Sequence, residues 1–301
     1  MTSEPRAAVI GWPVEHSRSP LIHGHWLKTL NLAGSYERRA VAPDAAESFF
    51  RSFAESGLIG GNVTIPHKET AFACCDEVDE TARALGAVNT LVLENGRLLG
   101  SNTDGLGFLN SLDHSAPNWD KSGEKGGKSA VVLGAGGAAR AIIWALLARG
   151  LTVHLFNRTR ARADALADHF GSGVHVHGPE EMAAMLEGAS LLVNTTSAGM
   201  GGNPALDIDL SPLPGNAVVT DIVYSPLMTP LLLLARERGL VTVDGLGMLL
   251  HQAVPGFELW FKRRPQVTSE LRRLVLADMG LAQDPSKDPI AARESTREVG
   301  Q

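Results

Sequence analysis

Apolar positions in the first third of the chain switch between short alternating runs and longer segments with helical spacing. The alternating runs predict two strands, at AAVIGWP and GGNVTIP, and Pro66 ends the second of them. The helical spacing predicts two helices, over SPLIHGHWLKTL and PDAAESFFRSFAESG. This part of the chain is therefore predicted to mix strands and helices.

Residue types at the helix ends suggest where each helix begins and stops. Ser19 is predicted as the N-cap of the first helix, with Pro20 in its first helical position. Asp44 and Glu47 have the spacing of a capping box for the second helix, and Gly57 is predicted to end that helix.

A hairpin is predicted around Asn95-Gly96, a dipeptide that strongly favours a two-residue turn between strands. Such a turn sets the register and places Asn89 opposite Asn102. Unless a bulge intervenes, Asp104 shares a sheet face with Asn102, because residues two apart point the same way. Asn89 and Asp104 are then expected to be diagonal neighbours, roughly 7–8 Å apart.

From residue 129 onward, short apolar runs alternate with helical segments. The six predicted strands are SAVVLG, TVHLFN, VHVH, LLVNTT, NAVVTDIV and VTVDG. This alternation is typical of an open parallel sheet that is covered by helices on both faces. Two more helices are predicted at about residues 246–261 and 265–279.

Two polar stretches interrupt the pattern. Residues 113–128 are rich in glycine, lysine and serine, and we predict that they form a linker or exposed loop between domains. Residues 281–301 are predicted to form a disordered polar tail.

Composition narrows the possible functions. Of 301 residues, 44% are hydrophobic and 20% are charged, as in a typical globular protein. The net charge of −6 argues against a broad basic surface, so we expect neither nucleic acid nor a membrane as a partner. A small anionic substrate would therefore need cations placed locally.

The two cysteines, Cys74 and Cys75, are adjacent, which predicts neither a disulfide framework nor a zinc site. The N-terminal residues lack the pattern of a signal peptide. The most apolar run is interrupted by Pro230 and by charges, and is too short to span a membrane. We therefore expect a protein of the reducing cytoplasm without a bound metal.

The segment VVLGAGGAAR contains the pattern Gly134-x-Gly136-x-x-Ala139. Because it follows a strand, opens a helix and heads six strands, it has the context of a dinucleotide-binding fingerprint. Gly134 is expected to make the tight turn, Gly136 to let a pyrophosphate approach, and Ala139 to keep the helix close to the strand. An ordinary strand–helix turn is the alternative.

The end of the second strand in such a sheet meets the adenosine ribose of the dinucleotide. The residues there are Asn157, Arg158, Thr159 and Arg162, and no acid occurs before Asp164. A carboxylate would select NAD through its ribose 2′-hydroxyl, whereas arginine accommodates the 2′-phosphate of NADP. We therefore predict NADP as the cofactor. The alternative is that these arginines are solvated helix charges.

Ligands of open α/β sheets bind beyond the carboxyl ends of the strands. The loop at the end of LLVNTTSAGM, which includes Thr195, occupies such a position. It either lines the nicotinamide half of the site or is an ordinary loop.

Polar residues also gather at the ends of elements outside this domain. They are Ser17, Ser19, Asn62, Thr64, Lys68, Asn89 and Asp104. Asn62 and Thr64 alternate along one strand face, where an apolar core would not select them. Each residue has an ordinary explanation, such as a cap, an edge position or a solvated charge. Together, beside a cofactor domain, they predict a substrate site.

At this point the chain resembles the shikimate dehydrogenase family. The motifs that carry the resemblance, in the family's order, are EHSRSPLIH, GGNVTIPHKE, LGAVNTL, GSNTDGLG, LGAGGAARA, NRT, NTTSAGM and DGLGMLLHQA. The resemblance covers about residues 6–275 and implies an α/β substrate domain beside a Rossmann NADP domain. We expect residues 1–112, completed by helices at 246–280, to form the substrate domain and residues 113–245 the NADP domain.

The resemblance implies reversible, NADPH-dependent reduction of 3-dehydroshikimate to shikimate. Lys68 and Asp104 match the catalytic pair of the family. The implied substrate-binding residues are Ser17, Ser19, Asn62, Thr64, Lys68, Asn89, Asp104, Tyr224 and Gln252. The implied cofactor contacts are Gly134, Ala135, Gly136, Gly137, Ala138, Asn157, Arg158, Thr159, Arg162, Thr195, Ile222, Gly245 and Met248.

Lys68 suits this chemistry because reduction of a ketone develops an alkoxide, which an ammonium can stabilise and protonate. Asp104 can bind a substrate hydroxyl and hold that ammonium in place. Burial lowers the pKa of a lysine while a nearby carboxylate raises it, so the sequence leaves open whether Lys68 acts as acid–base or as electrostatic anchor. The serine hydroxyls are expected to bind the substrate carboxylate, with Arg18 pointing elsewhere.

Two other functions remain open. One is a quinate or quinate/shikimate dehydrogenase, possibly using NAD, against which Ser19 and Arg158 argue. The other is a non-catalytic sensor of NADP or shikimate-like ligands, against which the intact Lys68 and Asp104 argue. We expect a monomer or homodimer whose partners are small molecules. His16, His23, His67 and His251 are interpreted as packing or surface residues.

Overall fold

The computed structural model describes residues 4–121 and 128–281. Within these residues the chain forms two compact units. The first comprises the residues up to Thr103 together with those from Gln252 onward, and the second comprises Asp104–His251.

The first unit begins with six strands and four helices. In chain order they are β1 (Arg6–Gly11), α1 (Ser19–Thr29), β2 (Ser35–Ala40), α2 (Ala46–Arg51), β3 (Gly60–Val63), α3 (Lys68–Cys74), β4 (Glu77–Val78), α4 (Glu80–Leu85), β5 (Thr90–Glu94) and β6 (Arg97–Ser101). The strands form one mixed sheet in the order β2-β1-β3-β5-β6-β4. Strand β1 runs parallel to β2 and β3, whereas β5 runs antiparallel to β3 and β6.

The helix ends differ in detail from the prediction. Ser19 is the first residue of α1 and not its cap, since the cap position falls on Arg18. The predicted capping box is absent: a 3₁₀ turn at Pro43–Ala45 precedes α2, and neither has a side-chain cap. A second 3₁₀ turn, Phe53–Ser56, ends at Gly57 with a φ of 73°, which confirms the predicted stop.

The hairpin has the predicted register, with Glu94 paired to Arg97 and Thr90 to Ser101. Asn95 and Gly96 both have positive φ, as a primed two-residue turn requires. The extension of this register to Asp104 was wrong, because β6 ends at Ser101 and a helix begins at Asp104. The alternation of strand faces therefore does not reach Asp104.

The second unit contains six helices and six strands. They are α5 (Asp104–Ser115), β7 (Ser129–Leu133), α6 (Gly137–Ala148), β8 (Thr152–Phe156), α7 (Arg160–Phe170), β9 (Val174–Val176), α8 (Met182–Leu186), β10 (Leu191–Asn194), β11 (Val218–Asp221), α9 (Pro230–Glu237), β12 (Val241–Val243) and α10 (Leu246–His251). Two short 3₁₀ turns lie at Trp119–Lys121 and Pro179–Glu181.

These strands form the predicted parallel sheet, in the order β12-β11-β10-β7-β8-β9. The order reverses between β7 and β10, the point where ligands bind in doubly wound sheets. Separate apolar clusters bury the two sheet faces, one around Ile142 and Leu155 and the other around Leu192 and Leu232. The α/β fold class is confirmed.

The stretch predicted as a linker is in part a packed element. Helix α5 extends to Ser115, and Trp119 is only 1% exposed within the core of the second unit. Asp113 accepts a hydrogen bond of 2.9 Å from the Trp119 indole and also pairs with Arg149. Residues 122–127 lie outside the described residues. Because α5 packs on α6 and α10, the boundary between the units falls at Asp104 and not near residue 112.

The C-terminal helices are α11 (Ala253–Phe261) and α12 (Ser269–Asp278). The single helix predicted at 246–261 is therefore two helices, which are separated at Gln252. Helix α10 packs on α5 in the second unit, while α11 packs on β3, β5 and α1 in the first. The Trp260 indole donates to the Leu91 carbonyl at 2.8 Å and so fastens α11 to the sheet.

Residues 282–301, which make up nearly all of the predicted tail, lie outside the described residues. Across 4–121 and 128–281, the structure contains no helix with the length and apolar character needed to cross a membrane.

The burial of Trp119 predicts that removing its side chain lowers the stability of the protein considerably. We expect Trp119→Ala to lower the free energy of unfolding by about 3–5 kcal/mol, because it empties a buried site. Urea unfolding followed by circular dichroism measures this loss. Trp12→Ala is the matched control, since Trp12 is 47% exposed, and it should cost far less. Equal small losses in both variants would show that residues 113–121 do not contribute to the core.

Candidate active site

The predicted substrate residues of the first unit lie at the carboxyl ends of β1 and β3 and around the hairpin. Ser17 and Ser19 are brought together, with their hydroxyl oxygens 3.3 Å apart. Arg18, between them, forms an ion pair of 3.3 Å with Asp278 of α12. As expected, this arginine is engaged away from the serine hydroxyls.

Lys68 is the first residue of α3 and follows the turn that comes after β3. The turn is fixed by backbone bonds from Thr64 N–H to the Ile10 carbonyl and from His67 N–H to the Thr64 carbonyl. The His67 ring contacts the Val41 carbonyl at 2.7 Å, which agrees with its interpretation as a packing residue. The Lys68 carbonyl accepts from Val88 N–H at 2.9 Å, which places Lys68 beside the segment between α4 and β5 that contains Asn89.

Asn89 is 2% exposed and organises the loop after the hairpin. Its Oδ1 atom accepts from Thr103 N–H at 2.9 Å, and its Nδ2 atom donates to Thr103 Oγ1 at 3.1 Å. Thr103 Oγ1 in turn donates to the Gln252 carbonyl at 2.8 Å. The structure thus brings Asn89 and Gln252 together through Thr103, a residue that the sequence reasoning missed. The next residue, Asp104, starts α5 of the second unit.

The glycine fingerprint of the second unit has the predicted geometry. Gly134 has a φ of 108°, and a Cβ there would lie 2.6 Å from Thr195 Oγ1, so only glycine fits this turn. Gly136 occupies the N-cap of α6, which has no side-chain cap. A Cβ at Gly136 or Gly137 would enter open space. The first turn of α6 therefore leaves uncapped N–H groups beside an open cradle, which fits a pyrophosphate. Ala139 is fully buried against the strand, as predicted.

The arginines after β8 differ from one another in their surroundings. Arg160 pairs with Asp164 at 3.0 Å. Arg158 and Arg162 are exposed, and neither forms an ion pair with any residue in the described part of the chain. Asn157 donates to the Thr159 carbonyl at 2.8 Å, which fixes the turn that carries these arginines. Two unpaired guanidinium groups, with the nearby carboxylate already neutralised, suit the 2′-phosphate of NADP.

A buried polar network supports the ends of β10 and β11. Asp221 Oδ1 accepts from Asn194 Nδ2 and from Val223 N–H, each at 3.0 Å, while Oδ2 accepts from Thr229 Oγ1 at 2.7 Å. Burial raises the pKa of Asp221, and these hydrogen bonds oppose the shift. Thr229 also caps α9. The sequence reasoning missed this network, although polar residues inside LLVNTT and NAVVTDIV were a signal for it.

Two predicted cofactor residues meet beside this network. A Cβ on Gly245 would lie 2.3 Å from the Ile222 carbonyl oxygen, so the two segments are in close backbone contact. Thr195 donates to the Leu133 carbonyl at 2.7 Å and so holds the β10 loop against the end of β7. Met248 packs against the core of this unit, and Tyr224 follows β11 on the loop before Thr229.

The parallel sheet, the glycine turn and the free arginines define a dinucleotide-dependent oxidoreductase of the Rossmann class. Family models match residues 9–91 as "Shikimate dehydrogenase substrate binding domain", 120–201 as "Shikimate / quinate 5-dehydrogenase" and 245–269 as "Shikimate 5'-dehydrogenase C-terminal domain".

Comparison with individual proteins agrees with these family models. The shikimate dehydrogenase (NADP(+)) of Azorhizobium caulinodans is 58% identical over 91% of this chain and 96% of its own. The crystal structure of Thermus thermophilus shikimate 5-dehydrogenase with NADP(H) and shikimate has a TM-score of 0.77 and 38% identity, over 87% and 95% of the two chains. Corynebacterium glutamicum quinate dehydrogenase with NAD has a TM-score of 0.80 and 31% identity, over 91% and 99%. The chain belongs to the shikimate dehydrogenase family.

The unpaired arginines predict how cofactor preference can be changed. The double variant Arg158→Gln/Arg162→Gln should raise the KM for NADP⁺ by about 10- to 100-fold and leave that for NAD⁺ nearly unchanged, because charge-assisted bonds to the 2′-phosphate are lost. Steady-state kinetics with each cofactor measures this. Arg236→Gln on α9 removes a comparable exposed charge and should change neither value. If the KM values for both cofactors rose equally, the arginines would not recognise the 2′-phosphate.

Proposed function

We propose that the chain catalyses the reversible reduction of 3-dehydroshikimate to shikimate, with Lys68 and Asp104 as its catalytic pair. The observation that carries this proposal is the 58% identity, over nearly the whole chain, to a shikimate dehydrogenase (NADP(+)). NADPH, when bound, supplies the hydride that is added to the carbonyl carbon of the ring. The residues Gly134–Ala138, Asn157–Arg162, Thr195, Ile222, Gly245 and Met248 are proposed to hold it.

Lys68 handles the charge that develops on the carbonyl oxygen. In the direction of reduction, its Nζ ammonium stabilises the alkoxide and gives it a proton; in the direction of oxidation, the neutral amine accepts that proton. Asp104 accepts a hydrogen bond from a substrate hydroxyl. Lys68 is half-buried at the start of α3, and its backbone carbonyl accepts from Val88 N–H, next to the buried Asn89 in the chain.

The remaining polar residues orient the substrate. Ser17 and Ser19 are proposed to bind its carboxylate, and their hydroxyls already lie 3.3 Å apart. Thr64, Asn89, Asp104 and Gln252 are proposed to contact its hydroxyls, with Tyr224 nearby. We further propose that the protein acts in the cytoplasm as a monomer or homodimer, with small molecules as its partners.

A second candidate is a quinate or quinate/shikimate dehydrogenase that uses NAD. The similarity to the quinate dehydrogenase of Corynebacterium glutamicum favours it. Two features argue for the first proposal: Ser19, which the resemblance to the family associates with shikimate, and the unpaired Arg158 and Arg162. The chain retains both Lys68 and Asp104, which argues against a non-catalytic sensor.

Removing the catalytic cation tests the proposal. Lys68→Met should lower kcat by at least about 100-fold while KM for shikimate changes only a few-fold, because the lost interaction forms mainly in the transition state. Initial rates of NADPH formation from shikimate measure both constants. Lys28→Met removes an exposed lysine from α1 and should leave kcat unchanged. A Lys68→Met enzyme with activity within a few-fold of wild type would refute the assigned role.

A further inference from the structure

Hydrogen bonds connect strand β2 with the hairpin in the first unit. The Tyr36 hydroxyl donates to Asn62 Oδ1 at 2.7 Å. Asn62 Nδ2 then donates to the Asn89 carbonyl at 3.2 Å. Tyr36 is therefore joined through Asn62 to Asn89, which is a proposed hydroxyl-binding residue of the site.

The Asn62 side chain uses both of its donor hydrogens within the protein. Its Nδ2 atom donates to the Asn89 carbonyl and also to Thr90 Oγ1, at 3.3 Å, so both amide hydrogens are used. Its Oδ1 atom accepts from Tyr36, and the residue is only 6% exposed. An amide engaged in this way supports its neighbours and does not offer a hydrogen to a ligand. Asn62 was predicted to touch the substrate; its contacts favour a supporting role.

The Tyr36 hydroxyl determines the orientation of the Asn62 side-chain amide. A phenolic O–H that donates must face the amide oxygen, which turns the NH₂ group toward Asn89 and Thr90. Burial raises the pKa of Tyr36, so the hydroxyl keeps its proton and remains a donor. Without this donor the Asn62 oxygen would be buried and unpartnered, and rotation of the amide by half a turn would break both bonds to the hairpin.

The Tyr36 ring is itself held in place. It stacks on His23, with ring centroids 4.0 Å apart and an interplanar angle of 17°. His23 is fully buried, and burial lowers its pKa to about 3, so it packs as a neutral ring. The nearby Asn62 amide opposes that shift in part without forming a hydrogen bond of normal geometry to the ring. Arg38 lies two residues after Tyr36 in β2, on the same strand face. It donates to the Ser17 carbonyl at 2.7 Å.

We propose that Tyr36 is a positioning residue of the substrate site, which acts through Asn62 on Asn89. This inference rests on the proposed function, because it assumes that Asn89 binds the substrate. Tyr36 itself touches neither the substrate nor the cofactor. Its loss should therefore weaken substrate binding and leave the chemical step intact.

Tyr36→Phe tests this, since it removes only the hydroxyl. We expect the KM for shikimate to rise by about 5- to 10-fold, as for the loss of one buried hydrogen bond, while kcat and the KM for NADP⁺ change by less than about twofold. Ser56→Ala is the matched control. Ser56 is a part-buried hydroxyl of the same unit that also makes two hydrogen bonds, to Phe53 and Leu58, outside the set described above. Ser56→Ala should leave kcat and the KM values for shikimate and NADP⁺ unchanged.

Asn62→Ala and the double variant Tyr36→Phe/Asn62→Ala give a second readout. If Tyr36 acts through Asn62, the double variant should have the same KM for shikimate as Asn62→Ala alone. Additive increases in the KM for shikimate in the double variant would overturn the inference. An unchanged KM for shikimate in Tyr36→Phe would also overturn it. Wild-type turnover of shikimate separates this result from the proposed function. A wild type that neither turns over nor binds shikimate overturns both, whereas an active wild type with an unaffected Tyr36→Phe overturns only this inference.

Discussion

Leaving a polar group buried without a partner costs about 1–3 kcal/mol, and this penalty shapes the strand ends in both units. In the first unit, Asn62 and Asn89 bind each other and their neighbours, and they fix the hairpin against β3. In the second unit, Asp221 collects donors from Asn194, Val223 and Thr229. Each network fixes a loop at the point where proposed ligand-binding residues emerge. Rigid placement of these residues is what transition-state stabilisation requires.

Cofactor choice is a separate matter of charge. The cradle at Gly134 and Gly136 suits the pyrophosphate of either dinucleotide, so it carries no preference between NAD and NADP. We propose that the preference comes from the turn after β8, where Arg160 neutralises Asp164 and leaves Arg158 and Arg162 unpaired. In this proposal, binding of the common part of the cofactor and selection of its 2′-phosphate are assigned to different loops.

Features set by local pattern could be predicted from the sequence. The six parallel strands, the register around Asn95-Gly96 and the turn at Gly134 each follow from the periodicity or backbone freedom of a few adjacent residues. Features set by distant contacts could not. The break at Gln252, the packing of Trp119 and the start of α5 at Asp104 depend on partners far away in the chain. Within the site, the residue types were clear, but the hydrogen bond from Tyr36 to Asn62 joins β2 and β3, which come close only in the folded sheet, on either side of β1.

The central claim is that the chain oxidises shikimate with NADP⁺. The most direct measurement is the formation of reduced cofactor, followed by absorbance, for shikimate and quinate, each with NADP⁺ and NAD⁺. The account predicts rapid turnover for shikimate with NADP⁺ and much lower kcat/KM for the other three pairs. Comparable turnover of quinate, or a preference for NAD⁺, would contradict the assigned specificity. No turnover with any pair, in protein that still binds NADP⁺, would contradict the enzymatic role itself.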